Sequence, residues 1–158
     1  MTRAYARARK HERVLEHAPH GHWNTTTLIA GITSRGAIAP MMLDGPMDTL
    51  AFEAYLEQVL IPALPKKTIV IMDNLSAHKS QGVEVRLKKA GAQLRYLPPY
   101  SPDFNPIELM WSKVKTFLRA VKARTQDELQ SAIADALSKI TSDDTQGFFR
   151  HCFVGIIY

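Results

Sequence analysis

The stretch Thr68-Ile69-Val70-Ile71-Met72-Asp73-Asn74-Leu75-Ser76-Ala77-His78-Lys79 decides the fold when read with Leu97-Pro98-Pro99-Tyr100-Ser101-Pro102-Asp103-Phe104-Asn105-Pro106-Ile107-Glu108. Residues 68–72 form an unbroken apolar run of the kind buried on both faces, which predicts a strand in a parallel or mixed sheet. A carboxylate at the end of such a strand is costly unless something positive meets it. In the second stretch a proline-set loop leads to a helix start. Asn105 is a good N-cap, Pro106 suits the first helical position, and Glu108 falls in the first turn. Thirty-four residues, 74–107, lie between the two acids. Two hard oxygen donors brought together make Mg²⁺ or Mn²⁺ the natural partner.

Between these stretches, Lys79 to Ala90 reads as an amphipathic helix with Val83, Val85 and Leu87 inward, closed by Gly91. Gln93 to Leu97 reads as a strand, which completes a βαβ crossover. Upstream, Trp23–Ile32 and Ala37–Leu43 flank the turn signal Ser34-Arg35-Gly36 and predict a hairpin. Asp48 or Thr49 caps a helix carrying Leu50, Phe52, Tyr55, Leu56, Val59 and Leu60, which Pro62 and Pro65 are expected to end. Downstream, the Glu108 helix runs to about Lys122 with Ile107, Met110, Trp111, Val114, Phe117 and Leu118 inward. Thr125-Gln126-Asp127-Glu128 is a capping box opening a helix to about Ile140, and a short helix to about His151 follows.

With 158 residues and 46% hydrophobic content, the chain suits one folded domain. Its formal charge of +5 favours a polyanionic partner, nucleic acid before membrane. A single cysteine, Cys152, excludes an internal disulfide and fits a reducing cytosol. No apolar run reaches the ~18 to 20 residues that span a bilayer. Residues 1–20, with Arg3, Arg7, Arg9, Lys10 and Arg13, read as a basic arm or loop.

The blocks 70–79 and 97–108 with Trp111 closely resemble the catalytic domain of DDE transposases, and His20–Thr27 and Leu43-Asp44-Gly45-Pro46 resemble the same group. The nearest likeness is to the mariner-like superfamily and its bacterial insertion-sequence branch. It implies an α/β, RNase H-like fold over residues 21–158, with a mixed sheet flanked by helices. It implies metal-dependent cleavage of transposon ends and strand transfer into target DNA. Asp73 corresponds to the second acid of the family's triad and Glu108 to the third. Together with a first Asp they would hold two Mg²⁺ or Mn²⁺ ions. Implied partners are double-stranded DNA at transposon ends and target, with a homodimer or a full-length transposase as protein partner. The implied setting is the bacterial cytoplasm, at the nucleoid, with no membrane role.

In that family the first Asp lies on a central strand, which by alignment of the motifs should precede Met1. The domain is therefore expected to be partial, lacking this strand, and inactive by itself. Asp44 reads as a turn residue and Asp48 as an N-cap, so neither substitutes for the absent acid. The alternative reading is a non-catalytic transposase remnant or DNA-binding regulator. Asn74, His78 and Asn105 are expected near the site. His78 could orient phosphate or merely cap a helix. Lys79, Lys113, Lys115, Arg119 and Lys122 could follow a DNA backbone or form a solvated face. Asp103 is expected to brace its loop by hydrogen bonds, and Trp111 to anchor packing.

Overall fold

A Thr- and Ile-rich stretch before Ser34-Arg35 and an Ala- and Met-containing stretch after it pair into an antiparallel hairpin, β1 (Thr26–Thr33) and β2 (Gly36–Asp44). Gly36 sits at φ +142°, a conformation that favours glycine, where the second strand begins. The ladder slips between Ile29 and Gly31, so that Ala30 faces both Ala39 and Pro40. This is a β-bulge, and Ala39 takes φ +50° to make it. The structure, a computed structural model, describes residues 9–11 and 25–153. Of the basic arm only residues 9–11 are described, and Trp23 lies outside the described residues.

The described residues divide into two compact units. The larger lies within Asn24–Met110 and Ile140–Tyr158, the smaller within Met1–Trp23 and Trp111–Lys139.

In the larger unit, Asp48 caps α1 (Thr49–Tyr55) by accepting the Ala51 N–H at 2.7 Å. The helical run passes Pro62 by one residue and ends before Pro65, within the pair of prolines expected to end it. It loosens into a π-helical stretch, Leu56–Leu60, and closes with α2 (Ile61–Ala63), ending at Leu64. The Ile61 N–H reaches back to the Leu56 carbonyl, five residues away. This wider turn accommodates Pro62, which has no N–H to give and would crowd an ordinary α-turn. Tyr55, Leu56, Leu60 and Phe52 form the core with Met72, Val83 and Leu87.

The crossover is built as expected. β3 (Ile69–Met72) pairs in parallel with β4 (Gln93–Tyr96), Met72 opposite Tyr96. Between them lie a 3-10 turn, Ser76–Lys79, and α3 (Gln81–Lys89). Ser80 caps α3, and Gly91 at φ +75° follows its end. Glu53 ties α1 to α3, accepting from Ser80 Oγ at 2.6 Å and pairing with Arg86 at 3.0 Å. Gly82 makes room for this carboxylate, because a Cβ there would lie 2.1 Å from Glu53 Oε1.

Three apolar expectations need correction. β3 is not buried on both faces: Met72 is buried, but Ile69 is 57% and Ile71 is 52% exposed. Alternation along a strand sends these two to the face opposite Met72 and Val70, and that face is open among the described residues. Leu50 and Val85 also lie exposed, because only one side of α1 and of α3 meets the core. The hairpin and the β3–β4 pair are separate two-stranded sheets among the described residues.

α4 (Pro106–Val121) gives its first residues to the larger unit and the rest to the smaller. In the smaller unit Val114, Leu118, Ala132, Ile133 and Ala136 are buried. The Lys113 ammonium donates to the Lys139 carbonyl at 3.2 Å, and the Lys139 ammonium lies 4.0 Å from the Phe117 ring centre. The expected capping box opens α5 (Gln126–Ser138). Backbone N–H bonds from Arg124 and Thr125 hold the Glu128 carboxyl below its ordinary value. In the larger unit, α6 (Ser142–Phe153) packs on β2 and buries Cys152, whose thiol is pushed up by burial and then by Asp103.

A part-buried hydrogen bond joins the hairpin to the core helix. The Tyr55 hydroxyl donates to the Ala39 carbonyl at 2.9 Å, and burial raises its pKa to about 12. A phenol whose folded pKa lies above its unfolded value, about 10, contributes full stability below pH ~10. That contribution is lost as pH rises through the folded value. Tyr55→Phe is expected to cost about 1 kcal/mol near neutrality, and to flatten the loss of stability above pH ~10. Urea titrations of both proteins across the alkaline range check this.

Candidate metal centre

Asp73 is the first residue beyond β3, and its position follows from the ladder. The Leu97 N–H donates to the Met72 carbonyl at 2.8 Å, so the chain leaving β4 runs beside Asp73. The Asn74 side-chain amide donates to the Leu97 carbonyl and fastens the two strand ends further. Beyond Leu97 the loop is held by local bonds. Ser101 Oγ donates to the Pro99 carbonyl at 3.2 Å, and the Asn105 N–H to the Pro102 carbonyl at 2.9 Å within a 3-10 turn, Pro102–Phe104. Tyr100 takes φ +57° and is fully exposed. The Asp103 carboxylate makes none of the bracing hydrogen bonds expected of it among the described residues. Ser101 and the backbone do the bracing instead.

The loop delivers Glu108 to the first turn of α4, where Asn105 Oδ1 accepts the Ile107 N–H at 3.4 Å. Glu108 thus lies in the first turn of α4, at the positive end of the helix dipole. Asp73 and Glu108 line one cleft of about 400 Å³, together with Asn74, Lys79, Asn105 and the loop from Leu97 to Pro102.

Asp73 is held on one side only. Its Oδ1 accepts the Leu75 N–H at 3.1 Å and lies 2.6 Å from His78 Nδ1. A carboxylate accepts, so Nδ1 carries the proton in this contact. The His78 ring packs on Phe52, with centres 4.3 Å apart, and the Tyr96 hydroxyl donates to the His78 carbonyl at 2.7 Å. Sequence reasoning named His78 but missed Phe52 and Tyr96 as its supports. Nothing in local spacing links residues 52, 78 and 96.

The donors in the cleft are oxygen: two carboxylates, two side-chain amides and loop carbonyls, with no cysteine or histidine among the lining residues. This set fits a hard divalent cation. No group of three acids, histidines or cysteines that could hold a metal occurs among the described residues. Of the other basic residues named from the sequence, Lys113, Lys115, Arg119 and Lys122 belong to the smaller unit. Lys115 and Arg119 are exposed on α4, and Lys122 lies just past its end at φ +57°.

A parallel crossover thus places one acid after a strand and a second at a helix start, in one oxygen-lined cleft that could take a divalent cation. The chain belongs to the DDE superfamily endonuclease family, which it matches over residues 1–130. It is 25% identical over 124 residues to the transposable element Tcb2 transposase of Caenorhabditis briggsae, covering 75% of this chain and 45% of that protein. With the Tcb1 transposase of the same organism it shares 28% identity over 112 residues, covering 68% of this chain and 41% of the relative. The chain thus spans less than half the length of these curated relatives. Its fold matches the Mos1 strand transfer complex with a TM-score of 0.77 at 14% identity, over 96% of this chain and 47% of that one. It also matches the Mos1 mariner paired end complex with Mn, with a TM-score of 0.70 at 13% identity, over 96% and 48%. The fold is therefore the RNase H-like mixed α/β fold of the Mos1 catalytic domain.

Removing the Asn74 tie tests how the site is positioned. Asn74→Ala leaves the Leu97 carbonyl without this donor and is expected to cost about 1–2 kcal/mol. Faster amide exchange at Leu97 than in the parent, read by hydrogen-exchange mass spectrometry, is the local signature.

Proposed function

We propose that this chain carries two acids of a DDE transposase site, Asp73 and Glu108, which cleaves DNA strands and transfers them to a target. The observation behind the reading is the shared cleft: two acids with thirty-four residues between them, on elements with no local connection, face one oxygen-lined space. Asp73 and Glu108 would hold Mg²⁺ or Mn²⁺, which supplies polarisation of the attacking oxygen and stabilisation of the leaving oxygen on phosphorus. Asp73 and Glu108 bring charge and fixed direction. Asn74 and Asn105 keep the strand end and the helix start in place. Lys79, on the wall of the cleft, meets the phosphate backbone of double-stranded DNA, a sequence-independent contact. Lys113, Lys115, Arg119 and Lys122 extend basic charge along and just beyond α4. A homodimer or a longer transposase would be the protein partner, acting at the nucleoid of a bacterial cell.

Two ions need more carboxylate than two residues offer, and the third acid of the triad would come from outside the described residues. The second reading, a DNA-binding remnant or regulator that does not cut, draws on the lack of a three-residue metal group among the described residues.

Plasmid nicking separates these readings. With Mn²⁺, the 158-residue chain is expected to leave supercoiled DNA intact. A longer protein that adds a strand ending in Asp ahead of residue 1 is expected to nick it. Asp73→Ala or Glu108→Ala in that longer protein should lower the rate by at least about 10³-fold, the scale on which loss of an essential charge-stabilising group acts. Nicking by the 158 residues alone would refute the need for an acid from beyond them. Undiminished nicking by either variant would refute the assignment of the site.

A further inference from the structure

Both hydrogen bonds to the Asp73 carboxylate fall on the same oxygen. The Leu75 N–H and the His78 Nδ1–H converge on Oδ1, at 3.1 and 2.6 Å, and Oδ2 accepts none among the described residues. Two donors on one oxygen fix the torsion of the carboxylate and leave the second oxygen in one direction. The Asp73 side chain is 38% exposed, whereas the His78 side chain is 18% exposed. The uncommitted oxygen thus belongs to the accessible partner and the clamp to the covered one.

The clamp is itself anchored in the fold. The His78 ring lies against Phe52, a core residue of α1 that is 3% exposed. Its backbone N–H donates to the Leu75 carbonyl at 3.0 Å, closing the 3-10 turn. Its carbonyl receives the Tyr96 hydroxyl from the end of β4 at 2.7 Å. The imidazole is therefore set by α1, by the turn after β3 and by β4, three elements of the same unit. A surface or capping histidine needs no such support. A merely packed one would not aim Nδ1 at a carboxylate.

We infer that His78 is a positioning residue: its Nδ1–H holds Asp73 Oδ1 so that Oδ2 is presented to the divalent cation in the cleft. This inference rests on the metal reading of Asp73 given above. Histidine here touches no ion. It acts as the outer partner that orients a ligating carboxylate, and loss of such a partner typically weakens metal affinity by about 10–100-fold.

Mn²⁺ binding by the purified 158-residue chain, followed by electron paramagnetic resonance and by calorimetry, tests the inference. Two substitutions split the ring from the donor. His78→Phe keeps an aromatic ring against Phe52 and removes the N–H. His78→Asn keeps an N–H near the place of Nδ1 and removes the ring. His78→Phe is expected to melt with the parent yet bind Mn²⁺ at least about tenfold more weakly. His78→Asn is expected to melt lower yet stay within about threefold of the parent affinity, a gap small beside that loss. Parent-like affinity in His78→Phe, or equal weakening in both variants, would overturn the positioning role and leave His78 as packing. Asp73→Asn serves as the control for the underlying reading. Parent-like Mn²⁺ uptake by that variant, or no uptake by the parent, would contradict the metal site itself and carry this inference down with it.

Discussion

The parallel pairing of β3 with β4 is the constraint from which the site follows. Its register sets Met72 opposite Tyr96, so the residue after one strand and the loop after the other must leave the sheet at the same end. Ligand-binding groups in open α/β sheets gather beyond the carboxyl ends of parallel strands for this reason. The pairing is extended one step by the Leu97 N–H on the Met72 carbonyl and again by the Asn74 amide on the Leu97 carbonyl. Asp73 sits between those two bonds. Its location is thus fixed by backbone geometry before any ion or substrate is considered.

Glu108 is fixed by a different device. The loop from Leu97 to Asn105 contains three prolines, at 98, 99 and 102, and a tyrosine held at positive φ. Few backbone conformations are open to such a segment, so the distance from β4 to the start of α4 varies little. A flexible loop of this length would have to lose entropy each time the second acid met the first. The rigid loop removes that cost in advance. The two acids are therefore presented by a strand end and a helix end, which move less than loops do.

Much of this was legible in the sequence, and the reasons for the rest are physical. The crossover, the capping box at Thr125, the Asp48 cap and the helix start at Pro106 are local signals carried by a few adjacent residues. The pairing of residues 73 and 108 in one cleft followed from motif context. Long-range contacts were not legible. The Phe52–His78–Tyr96 support spans forty-five positions, 52 to 96, and no local spacing encodes it. Gly82 lies inside α3, and the Glu53 carboxylate that a Cβ there would meet comes from another helix. Pro62 and Pro65 mark the helix end, but nothing local shows the π-helical turn that precedes Pro62. The apolar run 68–72 read as buried on both faces, yet Ile69 and Ile71 stand open. Hydrophobicity predicts that a face wants cover, and it cannot specify what supplies the cover.

Affinity cleavage addresses the central claim most directly. Fe²⁺ substitutes for Mg²⁺ and Mn²⁺ at oxygen-ligand sites, and with ascorbate and peroxide it cuts the backbone closest to where it is bound. Mass spectrometry of the products should find cuts in two segments, around 72–76 and within 97–108, both suppressed by excess Mn²⁺. Cuts confined to one of these segments, or cuts elsewhere that Mn²⁺ does not suppress, would show that Asp73 and Glu108 do not share a cation.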